Sequence, residues 1–184
     1  MATNTSFFPN ITKDLIKRVF DVFFSLNVLI LGFPVFLIIS FGVWVSSKGP
    51  IFHVQQRIGK KGKPFRFYKF RTMEKNAEHN LEKLLQKNAS FRKEWNTYCK
   101  LKNDPRITSF GKFLRALSLD ELPQFWNVLI GDLSVVGPRP FFSHEIVKHA
   151  KEKAHKILSV KPGITGIWQV YGRSNLSIKQ RIDL

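Results

Sequence analysis

The longest apolar run of the chain lies near its start, between Val19 and Val45. Past Asp21 the run carries no charge, and it exceeds the roughly 20 helical residues that cross a hydrocarbon core of about 30 Å. A signal peptide has a shorter apolar core and a small-residue cleavage site, which the Ser46–Pro50 segment does not resemble. The pattern therefore predicts a membrane helix that stays in the mature protein.

Pro34 interrupts this run near its middle and, with Gly32 beside it, predicts a kink, because proline removes a helical hydrogen bond and clashes with the preceding turn. Each arm then holds roughly 12 apolar residues, a length typical of a re-entrant element. Basic residues flank both ends, which indicates that both are cytoplasmic. They are Lys13, Lys17 and Arg18 before the run, and Lys48, Arg57, Lys60 and Lys61 after it. An ordinary spanning helix with a tolerated proline remains an open alternative at this point.

Apolar and basic positions alternate between Phe65 and Phe70, which predicts a β-strand. Eight basic residues lie between positions 57 and 75, against the single acidic residue Glu74. Beside a membrane, most of them would attract anionic lipid headgroups, at about 1 kcal/mol each. Lys69 and Arg71 are flanked by apolar positions, so they are better candidates for binding phosphate oxygens.

Two later stretches predict amphipathic helices that face the core or the membrane interface. In residues 76–101 the apolar positions recur near helical spacing, which predicts one or two helices. Residues 143–158 carry His144, His149 and His155, whose spacings of five and six do not place a metal-binding pair on one helix face. The predicted fold is mixed α/β and predominantly helical, with a small catalytic domain.

Composition narrows the class of protein. A chain of 184 residues accommodates one compact domain and an anchor. A net charge of +17 and a pI near 10.3 imply an anionic partner, which could be nucleic acid, lipid headgroups or a phosphorylated substrate. Cys99 is the single cysteine, which excludes an intrachain disulfide and is consistent with a reducing, cytosol-facing location. The sequence contains no dinucleotide fingerprint, P-loop or internal repeat.

The most informative polar feature is the adjacent acidic pair Asp120 and Glu121, in a chain with 13 Asp and Glu against 30 Lys and Arg. Neighbours on a helix point about 100° apart, so the two carboxylates need different roles, unlike the paired acids of glycosidases. One could attack phosphorus while the other positions a metal or a proton, and Mg²⁺ would offset the negative charge. Salt bridges to the abundant cations are the simpler alternative, and chemistry alone favours them.

Residues 104–173 concentrate prolines, glycines and charges in short blocks, a pattern that indicates a site. Arg139 lies between Pro138 and Pro140, whose restricted backbone would orient its guanidinium toward a pyrophosphate. A surface turn with an incidental arginine would show the same sequence.

Six blocks, in this order, closely resemble the bacterial sugar transferase family, the monotopic polyprenyl-phosphate phosphoglycosyl transferases. They are Gly49–Phe52 with Gln56–Gly59, Lys69–Met73, Asp104–Thr108, Ser118–Gln124, Val136–Pro140 and Lys161–Gly166. The resemblance implies transfer of a sugar 1-phosphate from a UDP-sugar to undecaprenyl phosphate, with release of UMP. That reaction is the first membrane step in making a surface glycan such as an exopolysaccharide, a capsule or an O-antigen.

The resemblance also implies roles for individual residues. Asp120 would be the nucleophile that carries the phosphosugar covalently, and Glu121 its partner in a site that requires Mg²⁺. Arg139 would bind phosphate. Further substrate-binding candidates are Lys69, Arg71, Asp104 and Arg106.

The same resemblance favours the re-entrant arrangement. Residues 1–48 would form a tail and a re-entrant helix kinked at Pro34, and residues 49–184 a cytosolic, membrane-associated catalytic domain at the bacterial inner membrane. The expected partners are the UDP-sugar, undecaprenyl phosphate and anionic lipids, with a homodimer left open and no nucleic acid. Two rivals remain, a non-catalytic scaffold of a glycan-assembly complex and a membrane-tethered nucleic-acid-binding protein, and both would tolerate Asp120→Asn.

Two departures from the family pattern carry their own expectations. Phe33 precedes Pro34 where the family usually has a small polar residue, so the kink should lack a side-chain hydrogen bond. The chain ends at Leu184, sooner than its relatives. Truncation there would leave the edge of the substrate pocket incomplete and reduce activity.

Overall fold

A computed structural model describes residues 10–98, 101–150, 153–172 and 178–183. Its first two helices, α1 (Asn10–Leu31) and α2 (Phe33–Ser46), meet at an angle of 63°. Gly32 is the N-cap of α2, and Pro34 lies in the first turn, where a missing N–H breaks no helical bond. The predicted kink is confirmed, and its cap has no side-chain hydrogen bond. Cys99 lies outside the described residues.

Within the described ranges, no helix taken alone is both long enough and apolar enough to cross a membrane, and α1 with α2 reach that measure only as a bent pair. Large apolar side chains on both helices are exposed. Among them are Phe23, Leu31, Phe33, Ile38 and Phe41. This pair therefore presents an apolar surface that the rest of the described chain does not cover.

An antiparallel hairpin follows, formed by β1 (Phe52–Ile58) and β2 (Pro64–Phe70) around a short 3₁₀ turn at Lys60–Gly62. Side chains alternate along β2, so Phe65 and Phe67 enter one hydrophobic cluster and Phe70 enters another. The predicted strand is thus the second strand of a hairpin whose first strand the sequence pattern did not indicate.

The remaining elements are mostly short helices, which confirms a mixed α/β, predominantly helical fold. They are α3 (Ala77–Lys87), α4 (Ala89–Tyr98), α5 (Ser109–Ala116), α6 (Gln124–Ile130), β3 (Ser134–Val136), α7 (Ser143–His149), α8 (Ala154–Leu158), β4 (Gly163–Thr165), α9 (Ile167–Val170) and α10 (Ile178–Asp183). Strands β3 and β4 pair in parallel. Each stretch predicted to form amphipathic helices divides into two.

The bent helix pair packs against the strands and helices that follow it in the chain. Ile39 and Val43 of α2 share a buried cluster with Phe70 of β2 and Leu114 of α5. Near the middle of α1, the guanidinium of Arg18 donates to the carbonyls of Val128 and Leu129 in α6, and Asp21 accepts hydrogen bonds from β3. Both helices of the bent pair are therefore attached to the strands and helices that follow them.

Helices α5 and α6, which the sequence analysis did not single out, carry exposed apolar side chains. Phe113 and Leu117 of α5 are 53% and 58% exposed, and Trp126 and Ile130 of α6 are 53% and 52% exposed. Exposed apolar residues that cluster in this way mark an interaction surface. These two helices, adjoining α2 and α1 respectively, extend the exposed apolar surface of the bent pair.

Candidate active site

The acidic pair lies in a short 3₁₀ turn, Leu119–Glu121, between α5 and α6. The chain enters this turn through Ser118, which has a positive φ of 58°. Asp120 is buried, with 11% of its side chain exposed, whereas 23% of the side chain of Glu121 is exposed. The tight turn therefore gives the two acids different environments, as divided roles require.

Lys69 of β2 lies between the two acids. Its Nζ is 3.0 Å from Oε1 of Glu121 and 4.0 Å from Oδ2 of Asp120. The carboxylates of both acids thus face one cation, the ammonium group of Lys69, which belongs to a different element of the fold. The predicted site residues Asp120, Glu121 and Lys69 are brought together in the structure.

Burial raises the pKa of Asp120 above its ordinary value, because a charged carboxylate is poorly solvated there. The positive charge of Lys69 opposes that rise, the neighbouring Glu121 adds to it, and Arg115 of α5 opposes it. Burial also lowers the pKa of Arg115, whose Nε donates to Oγ1 of Thr72 at 2.8 Å. Asp120 is therefore a desolvated carboxylate that depends on cations to stay ionised.

A cleft beside the acidic pair contains about 310 Å³ of empty space, part of it open to solvent. Glu121 and Lys69 line this cleft together with Arg139, the arginine predicted to bind phosphate. The other lining residues are Arg57, Phe67, Gln124, Pro140, Gly163, Ile164 and Trp168. Burial lowers the pKa of Arg139, and the charges of Glu145 and Glu121 oppose that shift.

Close backbone packing holds the loop that carries Arg139. The N–H of Gly137 donates to the carbonyl of Thr165 at 2.9 Å, and the N–H of Gly163 donates to the carbonyl of Pro138 at 2.8 Å. A Cβ on Gly163 would lie 2.1 Å from the nitrogen of Gly137, so only glycine permits this approach. The glycines seen in the sequence blocks thus position the Pro-Arg-Pro loop against β4.

The other three predicted substrate-binding residues lie away from the lining of this cleft. Asp104 and Arg106 pair with each other, at 2.5 Å from Oδ2 to Nη2 and 2.8 Å from Oδ1 to Nε, and Nη1 of Arg106 donates to the carbonyl of Ala77 at 3.1 Å. Arg71 donates to the carbonyl oxygen and hydroxyl of Ser47, just after α2. In the free protein these side chains join parts of the fold, and their roles toward substrate remain predictions.

Sequence reasoning missed three cleft residues, Arg57, Gln124 and Trp168. Arg57 belongs to the Gln56–Gly59 block and Gln124 closes the Ser118–Gln124 block, so membership of a block was the available signal. Trp168 stands two residues beyond the last block, where nothing in the local pattern distinguishes it from a core aromatic.

The acidic pair fits Mg²⁺ by its chemistry. This ion prefers oxygen ligands and is usually held by one or two carboxylates together with substrate phosphates and water. Asp120 and Glu121 already converge on a cation, the ammonium group of Lys69. Among the described residues, those around the acidic pair included, no group of three or more His, Cys, Asp or Glu could hold a metal, so substrate oxygens and water would have to complete the coordination of an ion at this pair.

Comparisons with known proteins find relatives of similar sequence. Undecaprenyl-phosphate galactose phosphotransferase of Salmonella typhimurium is 43% identical over 167 residues, which cover 91% of this chain and 35% of that protein. UDP-glucose:undecaprenyl-phosphate glucose-1-phosphate transferase of Klebsiella pneumoniae is 43% identical over 158 residues, covering 85% and 31%. An exopolysaccharide production protein of Sinorhizobium fredii is 42% identical over 166 residues, covering 90% and 73%.

The chain spans about a third of the length of the Salmonella and Klebsiella relatives and about three quarters of the Sinorhizobium protein. A family model described as bacterial sugar transferase matches residues 12–184, a range that contains every candidate site residue. This protein belongs to the bacterial sugar transferase family.

Proposed function

We propose that this protein transfers a sugar 1-phosphate from a UDP-sugar to undecaprenyl phosphate, releasing UMP, at the start of surface-glycan synthesis. One observation carries the proposal: the buried Asp120 lies beside Lys69 and Glu121, and these two residues line a cleft that also contains Arg139. The names of the Salmonella and Klebsiella relatives specify undecaprenyl phosphate, and the Klebsiella name specifies UDP-glucose as well.

The chemistry divides into two displacements at phosphorus. A carboxylate oxygen of Asp120 attacks the phosphorus that bears the sugar, the bond to the bridging oxygen breaks, and UMP leaves with the electron pair. An oxygen of undecaprenyl phosphate then attacks the aspartyl phosphosugar and releases the carboxylate. Lys69 and Arg139 lie where their positive charges would stabilise the negative charge that moves during both steps.

Asp120 and Glu121 would hold Mg²⁺, which when bound supplies positive charge to the diphosphate and the leaving UMP. Glu121 also fixes Lys69, since its carboxylate accepts a hydrogen bond from Nζ at 3.0 Å. The charges of Lys69 and, to a smaller extent, Arg115 oppose the rise in the pKa of Asp120 that burial causes. These contacts support different roles for the two adjacent acids: Asp120 is the nucleophile, and Glu121 positions Lys69.

For the helix pair we propose a re-entrant arrangement at the cytoplasmic membrane, with the α/β domain in the cytoplasm. The support is that Arg18, which directly precedes the apolar run, contacts α6, while Ser47, which follows α2, contacts Arg71. If both ends touch one domain, both ends lie on the same side of the bilayer. Exposed lysines at both ends would bind anionic lipid headgroups.

Single cysteines at the exposed positions Lys13 and Lys48, with Cys99 replaced, should report this topology. We expect an impermeant thiol reagent to label both only after the cytoplasmic face is opened. A single cysteine replacing the exposed Lys83 of α3 provides the cytoplasmic reference. Labelling of positions 13 and 48 from opposite faces would establish a spanning helix and contradict the proposal.

The reaction itself is tested by UMP release from detergent-solubilised protein with undecaprenyl phosphate and a panel of UDP-sugars. We expect release with at least one sugar, loss of release after chelation, and recovery when Mg²⁺ is restored, because carboxylates alone would repel the diphosphate. Full activity in the presence of a chelator would show that the reaction does not require Mg²⁺ and would contradict this part of the proposal. Silence across the panel, repeated with a longer chain that extends beyond Leu184, would favour the scaffold alternative.

A further inference from the structure

The cleft collects buried hydrogen-bond donors that have no acceptor. In the described part of the chain, seven buried side-chain atoms lack a hydrogen-bond partner, and four of them belong to residues lining this cleft. These four are Nε of Arg57, Nε2 of Gln124, Nε of Arg139 and Nε1 of Trp168. Buried polar groups in folded proteins are nearly always bonded, so a cluster of N–H donors around one cleft indicates a ligand rich in acceptors.

Charge in the cleft points to the same class of ligand. Burial lowers the pKa of Arg57 to about 9, and the charge of Arg139 is the next cause. Glu145 lies 3.7 Å from Arg57 and compensates only part of the two positive charges. Arg57 itself is held in place, because its guanidinium carbon lies 3.3 Å from the centre of the Phe142 ring and Nη2 donates to Gln55 at 3.0 Å. A bound anion would relieve the repulsion between the two arginines.

Gln124 and Trp168 are the neutral members of this donor set. Gln124 begins α6, four residues after Asp120, and is 1% exposed, yet Nε2 finds no acceptor among the described residues. The guanidinium carbon of Arg139 is 5.7 Å from the ring centre of Trp168, and the indole nitrogen has a proton to donate and no capacity to accept. Both side chains line the same cleft as Glu121 and Arg139.

We propose that Gln124 and Trp168 bind the donor substrate directly, their N–H groups donating to oxygens of a nucleoside-diphosphate sugar whose phosphates lie against Arg139. This inference rests on the proposed function and adds two substrate-binding residues to it. A nucleoside-diphosphate sugar matches the site because its phosphates and hydroxyls present many acceptors and its negative charge suits the arginines.

The inference predicts opposite effects on stability and on affinity. Because the donors are unpaired in the free protein, replacing them with apolar groups of similar shape removes a desolvation cost and leaves stability unchanged or higher. The same replacement removes a hydrogen bond to a charged ligand and weakens binding. A donor that served the fold would show the reverse, because its loss would lower the melting temperature.

Gln124→Met makes this change with little loss of volume, whereas Trp168→Phe keeps an aromatic ring but removes the pyrrole part of the indole, so the stability comparison rests on Gln124→Met. Ser25→Ala is the matched control, since Ser25 is fully buried in α1, its hydroxyl also lacks a partner, and it is not among the cleft residues. Binding of UDP and of the active UDP-sugar to the full chain in detergent would be measured by calorimetry without lipid acceptor. Thermal unfolding of each variant would be measured in parallel.

For each cleft variant we expect the Kd of UDP to rise about tenfold or more, and for Gln124→Met an unchanged or higher melting temperature. Ser25→Ala should keep the wild-type Kd. The inference is overturned if both cleft variants bind UDP like wild type, or if the melting temperature of Gln124→Met falls with its affinity. If wild type releases UMP while the variants bind normally, only this inference fails. If wild type neither binds UDP nor releases UMP from any sugar, the proposed function fails with it.

Discussion

Asp120→Asn is expected to reduce UMP release by about four orders of magnitude or more, because the amide keeps the shape of the side chain and removes the attacking carboxylate. The protein itself should remain folded. Burial already raises the pKa of Asp120, so ionised carboxylate is disfavoured at this position and a neutral group should be accommodated. The mutation thus separates chemistry from stability.

A single-turnover experiment without undecaprenyl phosphate distinguishes a covalent intermediate from direct transfer to the lipid. If Asp120 is the nucleophile, wild type should release about one UMP per active site and gain the mass of a phosphosugar. Asp120→Asn should do neither, while Asp132→Asn should behave like wild type, because the Asp132 carboxylate accepts from Nδ2 of Asn127 at 3.3 Å and is not the one that lies 4.0 Å from Nζ of Lys69. UMP that appears only when lipid is added would mean direct transfer. A mutant with more than a tenth of wild-type activity would exclude Asp120 as the nucleophile.

Local sequence chemistry was sufficient for the bent helix pair. Gly32 and Pro34 act within one turn, and the geometry they produce depends on backbone constraints that hold in any context. The α5 helix shows what periodicity leaves undetermined. Phe110, Phe113, Leu114 and Leu117 follow helical spacing, yet Leu114 is fully buried and Phe113 is half exposed. Periodicity identifies an apolar face, and only the neighbouring elements decide how much of that face is covered.

The candidate site was likewise predicted only in part from the sequence. The resemblance placed Asp120, Glu121, Lys69 and Arg139 in one mechanism, but the contact of Lys69 with the acids joins β2 to a turn some fifty residues later. This contact results from how the hairpin packs against the turn, and no pattern in the sequence around Lys69 or Glu121 predicts it. The unpaired donors in the cleft cannot be predicted from the sequence either. A donor is unpaired because the folded structure places no acceptor within hydrogen-bond distance of it.

Asp21→Ala is expected to destabilise the protein by about 3 kcal/mol, comparable to breaking other buried charge networks. Oδ1 of Asp21 accepts from Oγ of Ser134 at 3.0 Å and from the N–H of Val135 at 2.9 Å, and Oδ2 lies 3.7 Å from Nζ of Lys17. Alanine would leave two buried donors of β3 unpaired. For a chain of this size the melting temperature should fall by roughly 10 °C. Thermal unfolding followed by tryptophan fluorescence would measure it.

Asp14→Ala is the matched control, because Asp14 lies two turns earlier on α1 and is exposed, so its loss should change stability by no more than about 0.5 kcal/mol. Equal effects of the two substitutions would show that charge near the helix start matters and the contact with β3 does not. Asp21→Ala should also raise the KM for the UDP-sugar at temperatures where the variant is folded. The reason is connectivity: β3 ends at Val136, three residues before Arg139, so a helix that anchors β3 also fixes the arginine that faces the substrate.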